Sequence, residues 1–317
     1  MNKVAVVGAG AWGTALALQA LRAGCQVSLW ARDPAPLRAA RCSPHLPGHS
    51  LPDAVALPDA LPGDGPDAIL LAVPVQHLRA VAAGLRTSAP LVACCKGIEA
   101  GTGRLPLEIL AELHPSCPGA VLTGPNFAHE VAAGLPAAAV LACAVPDLRA
   151  RLAGLLASPA FRIYGGDDPL GAGLGGAAKN VVAIAAGAVM GAGLGENARA
   201  ALITRGLAEL SRLVAAGGGR AETVAGLSGL GDLLLTCTGG ASRNYTLGLA
   251  LGRGEALAGV LAGRTGVTEG VATAPALLAR AAGVDLPICT AVAALLVGQT
   301  TLNEAITELL ARPRRDE

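Results

Sequence analysis

The sequence predicts an α/β chain in which a doubly wound parallel sheet is followed by an all-helical C-terminal domain. Three observations lead there. Short, wholly apolar runs alternate with helical stretches through the first half. A glycine-rich turn closes the first of those runs. The second half carries long Ala- and Leu-rich segments with no convincing strand. At about 150 residues per domain, 317 residues suit two domains.

Val4 to Val7 is a continuous apolar run closed by Gly8, which marks a strand buried on both faces. Gly8-Ala-Gly10-Ala-Trp-Gly13 follows, then an Ala/Leu-rich helix to Ala23 that ends at Gly24, then a second strand from Gln26 to Ala31. Together they make one β-α-β unit. Further apolar runs at Ala68 to Val73, Leu91 to Cys95, Ala120 to Thr123 and Ala137 to Cys143 alternate with helical stretches near 76–85, 104–113 and 146–156. A last strand, Phe161 to Tyr164, precedes Gly165-Gly166-Asp167-Asp168-Pro169. The expected boundary falls there, between a domain of residues 1–167 and an all-helical one of residues 168–317.

Composition narrows the function classes. Hydrophobic residues make up 52% and charged residues 15%, which excludes a disordered chain, and the 43 glycines follow no Gly-X-Y period, which excludes collagen. With 24 basic and 23 acidic side chains the formal charge is +1, so no global field draws the chain to nucleic acid or an anionic membrane. Any anionic ligand must be held by a local cluster. The apolar stretches Leu170 to Lys179 and Val181 to Gly195 fall short of the roughly 20 residues of a bilayer span. Met1-Asn2-Lys3 runs straight into a strand without a leader pattern. The expectation is a cytoplasmic protein with no membrane insertion. The eight cysteines include no Cys-x-x-Cys pair and no His at zinc spacing, so no metal is expected and the thiols should be reduced and mostly buried.

In its setting, strand before and helix after, the glycine turn is a Rossmann-type dinucleotide signal. Gly8 allows the tight turn, Gly10 lets a pyrophosphate approach the backbone, Gly13 lets helix and strand pack closely, and the helix N-terminus offers amide donors. The competing reading is a plain glycine turn. At the end of the second strand stands Trp30-Ala31-Arg32-Asp33. Arg32 suits the 2′-phosphate of NADP, Asp33 keeps NAD open, and a solvated charged turn is the third reading.

Three lysines occur in the whole chain, Lys3, Lys96 and Lys179, among 24 basic residues. A surviving lysine in so arginine-rich a chain is a candidate for work a guanidinium cannot do. Lys96 ends the strand Leu91 to Cys95, and Gly124-Pro125-Asn126 ends the next. In a parallel sheet both ends lie on the same edge as Gly8. Lys179 is the one charge between Asp168 and Glu196, among small and apolar helical neighbours. Desolvation should lower its pKa toward the range useful for proton transfer; a snorkelling surface lysine is the alternative. Asp232, alone in the apolar Gly226-Leu-Ser-Gly-Leu-Gly-Asp-Leu-Leu-Leu-Thr236, needs a cationic partner, and Lys179 is the candidate. Ser242-Arg243-Asn244 offers a hydroxyl, a bidentate guanidinium and an amide suited to a phosphate, against a helix-capping Ser beside solvated neighbours.

Taken in order, these segments resemble the bacterial-type NAD(P)-dependent glycerol-3-phosphate dehydrogenases over nearly the whole chain. The resemblance rests on GAGAWGTALA near the start, KGIE at 96–99, GPNFAHEVA at 124–132, KNVVAIAAG at 179–187, NARAALITRGLAE at 197–209, GLSGLGDLLLTCTGGASRN at 226–244 and VTEGV at 267–271. It implies reversible reduction of dihydroxyacetone phosphate to sn-glycerol 3-phosphate with NADP or NAD, supplying the backbone of membrane phospholipids, and it suggests a homodimer. Carried over residue by residue, Lys179 is similar to the proton carrier at the C2 oxygen and Lys96 to a contact of both substrate and cofactor. Gly124, Asn126, Asp232, Ser242, Arg243 and Asn244 match substrate-binding positions. Ala11, Trp12, Arg32, Ala128, Arg243, Val267 and Glu269 match cofactor-binding positions, with His45 a further candidate. Two departures stand out: Asn126 where Ser or Thr is usual, and Cys94-Cys95 in place of a small polar approach to the lysine.

Two other classes remain at this level. A 2-hydroxyacid or 3-hydroxyacyl dehydrogenase would share the first domain but use a His-based acid, for which His129 beside Glu130 is the candidate, unless it is an exposed helix-start histidine. A non-catalytic cofactor sensor would have no reason to keep Lys96, Lys179 and Asp232 in uncharged surroundings.

Overall fold

A computed structural model describes residues 1–264, 266–281 and 283–312. Of the tail expected to be a solvated end, Arg312-Pro-Arg-Arg-Asp-Glu317, all but Arg312 lies outside the described residues.

The first half alternates strand and helix as expected: β1 (Lys3–Val7), α1 (Ala11–Arg22), β2 (Gln26–Trp30), α2 (Ala35–Ala40), β3 (Val55–Ala56), β4 (Ala68–Leu71), α3 (Val75–Ala82), β5 (Leu91–Ala93), α4 (Pro106–Leu113), β6 (Gly119–Thr123), α5 (Ala128–Ala133), β7 (Ala137–Ala142), α6 (Pro146–Leu156) and β8 (Phe161–Gly166). The strands form one sheet in the order β3-β2-β1-β4-β5-β6-β7-β8. Its doubly wound character shows in successive residues of β1. Val4 and Val6 belong to one hydrophobic cluster, Ala5 and Val7 to another. Both faces are therefore covered, and the continuous apolar run is explained.

The sheet is not wholly parallel. β7 runs antiparallel to β6, and β8 is parallel to β7. A parallel return needs a crossover that travels back along the sheet face. Residues 124–136 contain only the six-residue α5, about 9 Å of helix, and the chain reverses instead. Sequence reasoning also missed α2, β3 and α5; the remaining differences are at element ends. The apolar runs extend one or two residues beyond β2, β4 and β5, into the groove described below, and one residue beyond β7, where Cys143 N still donates to the Gly166 carbonyl at 2.9 Å.

From Pro169 onward every described element is helical: α7 (Pro169–Gly191), α8 (Gly195–Ala216), a 3₁₀ turn (Ala221–Ala225), a π turn (Leu227–Gly231), α9 (Asp232–Thr238), α10 (Arg243–Gly252), α11 (Leu257–Ala262), α12 (Glu269–Arg280), α13 (Pro287–Leu296) and α14 (Leu302–Leu310). Asp168 starts α7 by accepting from Gly171 N at 2.8 Å, and it anchors that start through Arg220 N at 2.9 Å and the Thr223 hydroxyl at 2.7 Å. The two apolar stretches around Lys179 and Asn180 form a single 23-residue helix of mean hydropathy 1.4, long and apolar enough to cross a membrane. Instead, 89% of that window is buried inside the protein, where α8, α9, α10, α12 and α13 pack around it.

The tightest of these contacts is between α7 and α10. A Cβ on Gly187 would lie 2.0 Å from the Tyr245 carbonyl, and one on Gly248 would lie 1.9 Å from that of Ile184. Backbone meets backbone there. This close approach sets the N-terminus of α10 beside the middle of α7.

Candidate active site

A groove of about 960 Å³ runs along the edge of the sheet where β1, β2, β4, β5 and β6 end, and it is closed on its far side by α7, α9, α10 and the start of α12. One end is built by the glycine turn. Gly8 adopts φ +110°, and its carbonyl would sit 1.7 Å from a Cβ on Gly13. Gly13 therefore does not line the groove. It lets α1 close onto the turn, while Gly8, Gly10, Ala11 and Trp12 present backbone and indole to the cavity. Arg32 is exposed at the end of β2 and faces the groove with Asp33 and His45. Asp33 accepts from Ala35 N at 3.1 Å and so starts α2.

The other end holds the charges. Asp232 is the first residue of α9, 1% exposed, where the π turn runs on into the helix. One oxygen accepts from Lys179 Nζ and the other from Lys96 Nζ at 2.5 Å. Lys96 also donates to the Gly124 carbonyl at 3.0 Å, which ties the ends of β5 and β6. Gly124 itself does not line the cavity. Lys179 makes one more contact, to the Thr236 hydroxyl at 2.7 Å; that hydroxyl in turn donates to the Asp232 carbonyl at 2.6 Å. Lys179 is 7% exposed, and burial lowers its pKa to about 8. Asp232 opposes that shift and the neighbouring Lys96 adds to it.

Beside this cluster, Ser242 caps α10 by accepting from Tyr245 N at 3.2 Å, so the capping reading holds for its oxygen, while its hydroxyl proton remains to be donated. Arg243 is exposed, lines the groove and donates to the Val267 carbonyl at 3.2 Å. The Asn244 amide is largely engaged. Nδ2 donates to Asn180 Oδ1 at 2.9 Å and Oδ1 accepts from Gly270 N at 3.0 Å, which braces α10 against α7 and α12. Three buried polar atoms in the groove have no partner among the described residues: Trp12 Nε1, Asn126 Oδ1 and Glu269 Oε2. Buried polar atoms are rarely left so, and a long polar ligand in this groove would satisfy them. Burial raises the Glu269 carboxyl to about 7.

The comparisons with known proteins agree with this geometry. Residues 3–148 match the model of the NAD-dependent glycerol-3-phosphate dehydrogenase N-terminus, and residues 168–307 match that of its C-terminus. This chain belongs to that family. The glycerol-3-phosphate dehydrogenase (NAD(P)+) of Acidiphilium cryptum is 57% identical over 99% of this chain and 98% of its own length. That of Gluconobacter oxydans is 54% identical over 98% and 97%. A crystal structure of glycerol-3-phosphate dehydrogenase from Coxiella burnetii superposes with a TM-score of 0.92 at 36% identity, covering 98% of this chain and 99% of that one.

Within this dehydrogenase fold, Ala128 and Val267 line the groove with the residues above. Asn126 Nδ2 donates to the Ala138 carbonyl at 3.1 Å, so the departure from Ser or Thr serves in part to hold β7. Cys94 is buried in the sheet core, and Cys95 borders the groove with its thiol pushed up in pKa by burial. His129 is exposed, stacked on Phe127 and 3.9 Å from Glu130, and it borders the groove. Sequence reasoning passed over Thr236 and Asn180, which both line the groove. Each is a polar residue inside an apolar helical run, the same signal that singled out Lys179.

Proposed function

We propose that this chain interconverts dihydroxyacetone phosphate and sn-glycerol 3-phosphate with NAD(P)(H), with Lys179 as the proton carrier at the C2 oxygen. The observation that carries the reading is the Lys179–Asp232–Lys96 cluster, desolvated in the groove that the glycine turn opens. When bound, the nicotinamide cofactor supplies or accepts the hydride. Gly8, Gly10, Ala11, Trp12 and Arg32 would hold its adenosine and pyrophosphate half, and Lys96, Ala128, Arg243, Val267 and Glu269 the other.

An amine near pKa 8 can both hold and release a proton at working pH, as general acid–base work requires. Asp232 keeps Lys179 from turning away, and Thr236 fixes the direction of its remaining donors. Lys96 places a second positive charge where negative charge develops on the oxygen during carbonyl reduction. Ser242 and Arg243 receive the phosphate at the N-terminus of α10, whose backbone amides and dipole favour a dianion. Asn244 holds that terminus in place.

We further infer a division at residues 167/168, supported by the end of β8 at Gly166 and the start of α7 at Pro169; a preference for NADP, supported by Arg32 and by the engagement of Asp33; no membrane insertion, supported by the burial of α7; and a cytoplasmic homodimer, supported by the family resemblance. Affinities for NADPH and NADH test the second, and light scattering tests the dimer. The activity itself is tested by cofactor oxidation with dihydroxyacetone phosphate, then with 2-keto acids and acyl substrates. Oxidation with only the latter would move the acid to His129, and none at all would leave a cofactor sensor.

A further inference from the structure

We propose that Glu269 sets the relative affinity of the groove for oxidised and reduced nicotinamide cofactor, by presenting a carboxylate to the half of the groove that receives the ring. The proposal rests on the assignment of the cofactor to this groove.

Glu269 is the first residue of α12, yet its side chain reaches the sheet edge. Oε1 lies 3.4 Å from Val75 N in the first turn of α3, just past β4. Oε2 is buried, has no partner among the described residues, and stands 3.4 Å from where a Cβ on Gly97 would be, just past β5. In this sheet the order reverses between β1 and β4. The glycine turn and Arg32 occupy the β1/β2 side, so the β4/β5 side is left for the nicotinamide. An unsatisfied carboxylate oxygen there meets a ring that carries a full positive charge when oxidised and none when reduced.

The charge state of Glu269 decides how strongly it discriminates. Burial raises its pKa to about 7, and the Arg243 guanidinium opposes that shift. The Cys95 thiol, the other titratable group coupled to it, is pushed up by burial and stays neutral. Lys96, Lys179, Asp232 and His77 line the same groove. A neutral acid has no electrostatic preference between the two cofactor forms, whereas the carboxylate favours the oxidised one. By linkage, binding of the oxidised form near pH 7 must then release a proton. During carbonyl reduction the same carboxylate stabilises the charge that grows on the ring as hydride leaves. It therefore works in concert with Lys179, which holds its proton in that direction.

Dissociation constants of NADP+ and NADPH for the full-length wild type and Glu269→Gln at pH 6 and pH 8 test this. In the wild type the ratio Kd(NADP+)/Kd(NADPH) should fall by about fivefold or more as pH rises. In Glu269→Gln the fall should be mostly lost, with the ratio staying near the wild-type value at pH 6. Lys179 is present in both proteins, so its own titration cancels in the comparison. Calorimetry of NADP+ binding to the wild type at pH 7, in buffers of different ionisation enthalpy, should show net proton release. Equal pH dependence in the two proteins, or no proton release from the wild type, would overturn the proposal. Failure of the wild type to bind either form would instead overturn the cofactor assignment on which it rests.

Discussion

In the sheet half, the groove is lined by backbone at Gly8 and Gly10, by apolar side chains just past the strand ends and, at its outer end, by the exposed Arg32 and Asp33. In the helical half it is lined by Lys179, Asp232, Thr236 and Ser242, polar side chains that are each less than a tenth exposed. The sheet half contributes shape and amide dipoles, and what it cannot tolerate is an added atom. The helical half contributes charge withdrawn from water, and what it cannot tolerate is a lost one. Lys96 is the bridge, a sheet residue that shares its counter-ion with a helical one.

The widest separation of the two halves should come from Lys179→Met. Removing the proposed proton carrier should lower turnover by about 10² to 10⁴, while cofactor affinity, assigned mainly to the sheet half, should stay near the wild-type value. Near-normal turnover in stopped-flow assays would refute the role of Lys179. Arg243→Ala comes next. Arg243 is exposed, so losing its charge-assisted contact should weaken substrate binding by about 1.5–3 kcal/mol, read as a raised KM for dihydroxyacetone phosphate. An unchanged KM would take Arg243 out of the phosphate site.

A matched pair of glycine substitutions sharpens the comparison. A Cβ at Gly13 meets the Gly8 carbonyl at 1.7 Å, and one at Gly248 meets that of Ile184 at 1.9 Å. Both Gly13→Ala and Gly248→Ala overpack backbone against backbone and should each destabilise the fold by about 1–3 kcal/mol. Their functional signatures should cross. Gly13→Ala displaces the amides of the turn and should weaken cofactor binding, whereas Gly248→Ala displaces α10 and should raise KM for the phosphorylated substrate. Identical signatures would mean that the halves do not divide the labour in this way.

How far each half could be read in advance follows from the same difference. The glycine turn was legible because backbone chemistry needs glycine at fixed spacing. Lys179 was legible because a charge in an uncharged helix has few explanations, and its pairing with Asp232 followed from the rule that buried charges need partners. The sharing of Asp232 with Lys96 was not visible, because it depends on how the π turn at Leu227–Gly231 delivers α9 to the sheet edge. The reversal of β7 was hidden as well. Its residues are as apolar as those of a parallel strand, and only the shortness of the 124–136 connection gives the direction away. Thr236 and Asn180 carried a readable signal, but a neutral polar residue in a helix has many more explanations than a charged one.

The smallest effects, and the ones that join the halves, are those of pH. Burial lowers Lys179 to about 8 and raises Glu269 to about 7. Lys179 loses its proton as pH rises through about 8, so carbonyl reduction, which draws on that proton, should decline above that value, and alcohol oxidation, which needs the free amine, should rise through it. The stability terms have the opposite logic. Between 4.5 and about 7 the folded chain holds a proton on Glu269 that the unfolded chain has released, so this group's contribution falls as pH rises through that window. Between about 8 and 10.5 the unfolded chain holds a proton on Lys179 that the folded chain has released, so that group's contribution rises with pH. Between the two windows both groups are charged and both work against the fold, in the same range where the proposed mechanism calls for an ionised Glu269 and a protonated Lys179. The Tm of Glu269→Gln should therefore gain on that of the wild type from pH 5 to pH 7 and then level off. A difference that stays constant across that range would show that the carboxyl ionises in the folded chain as it does in water.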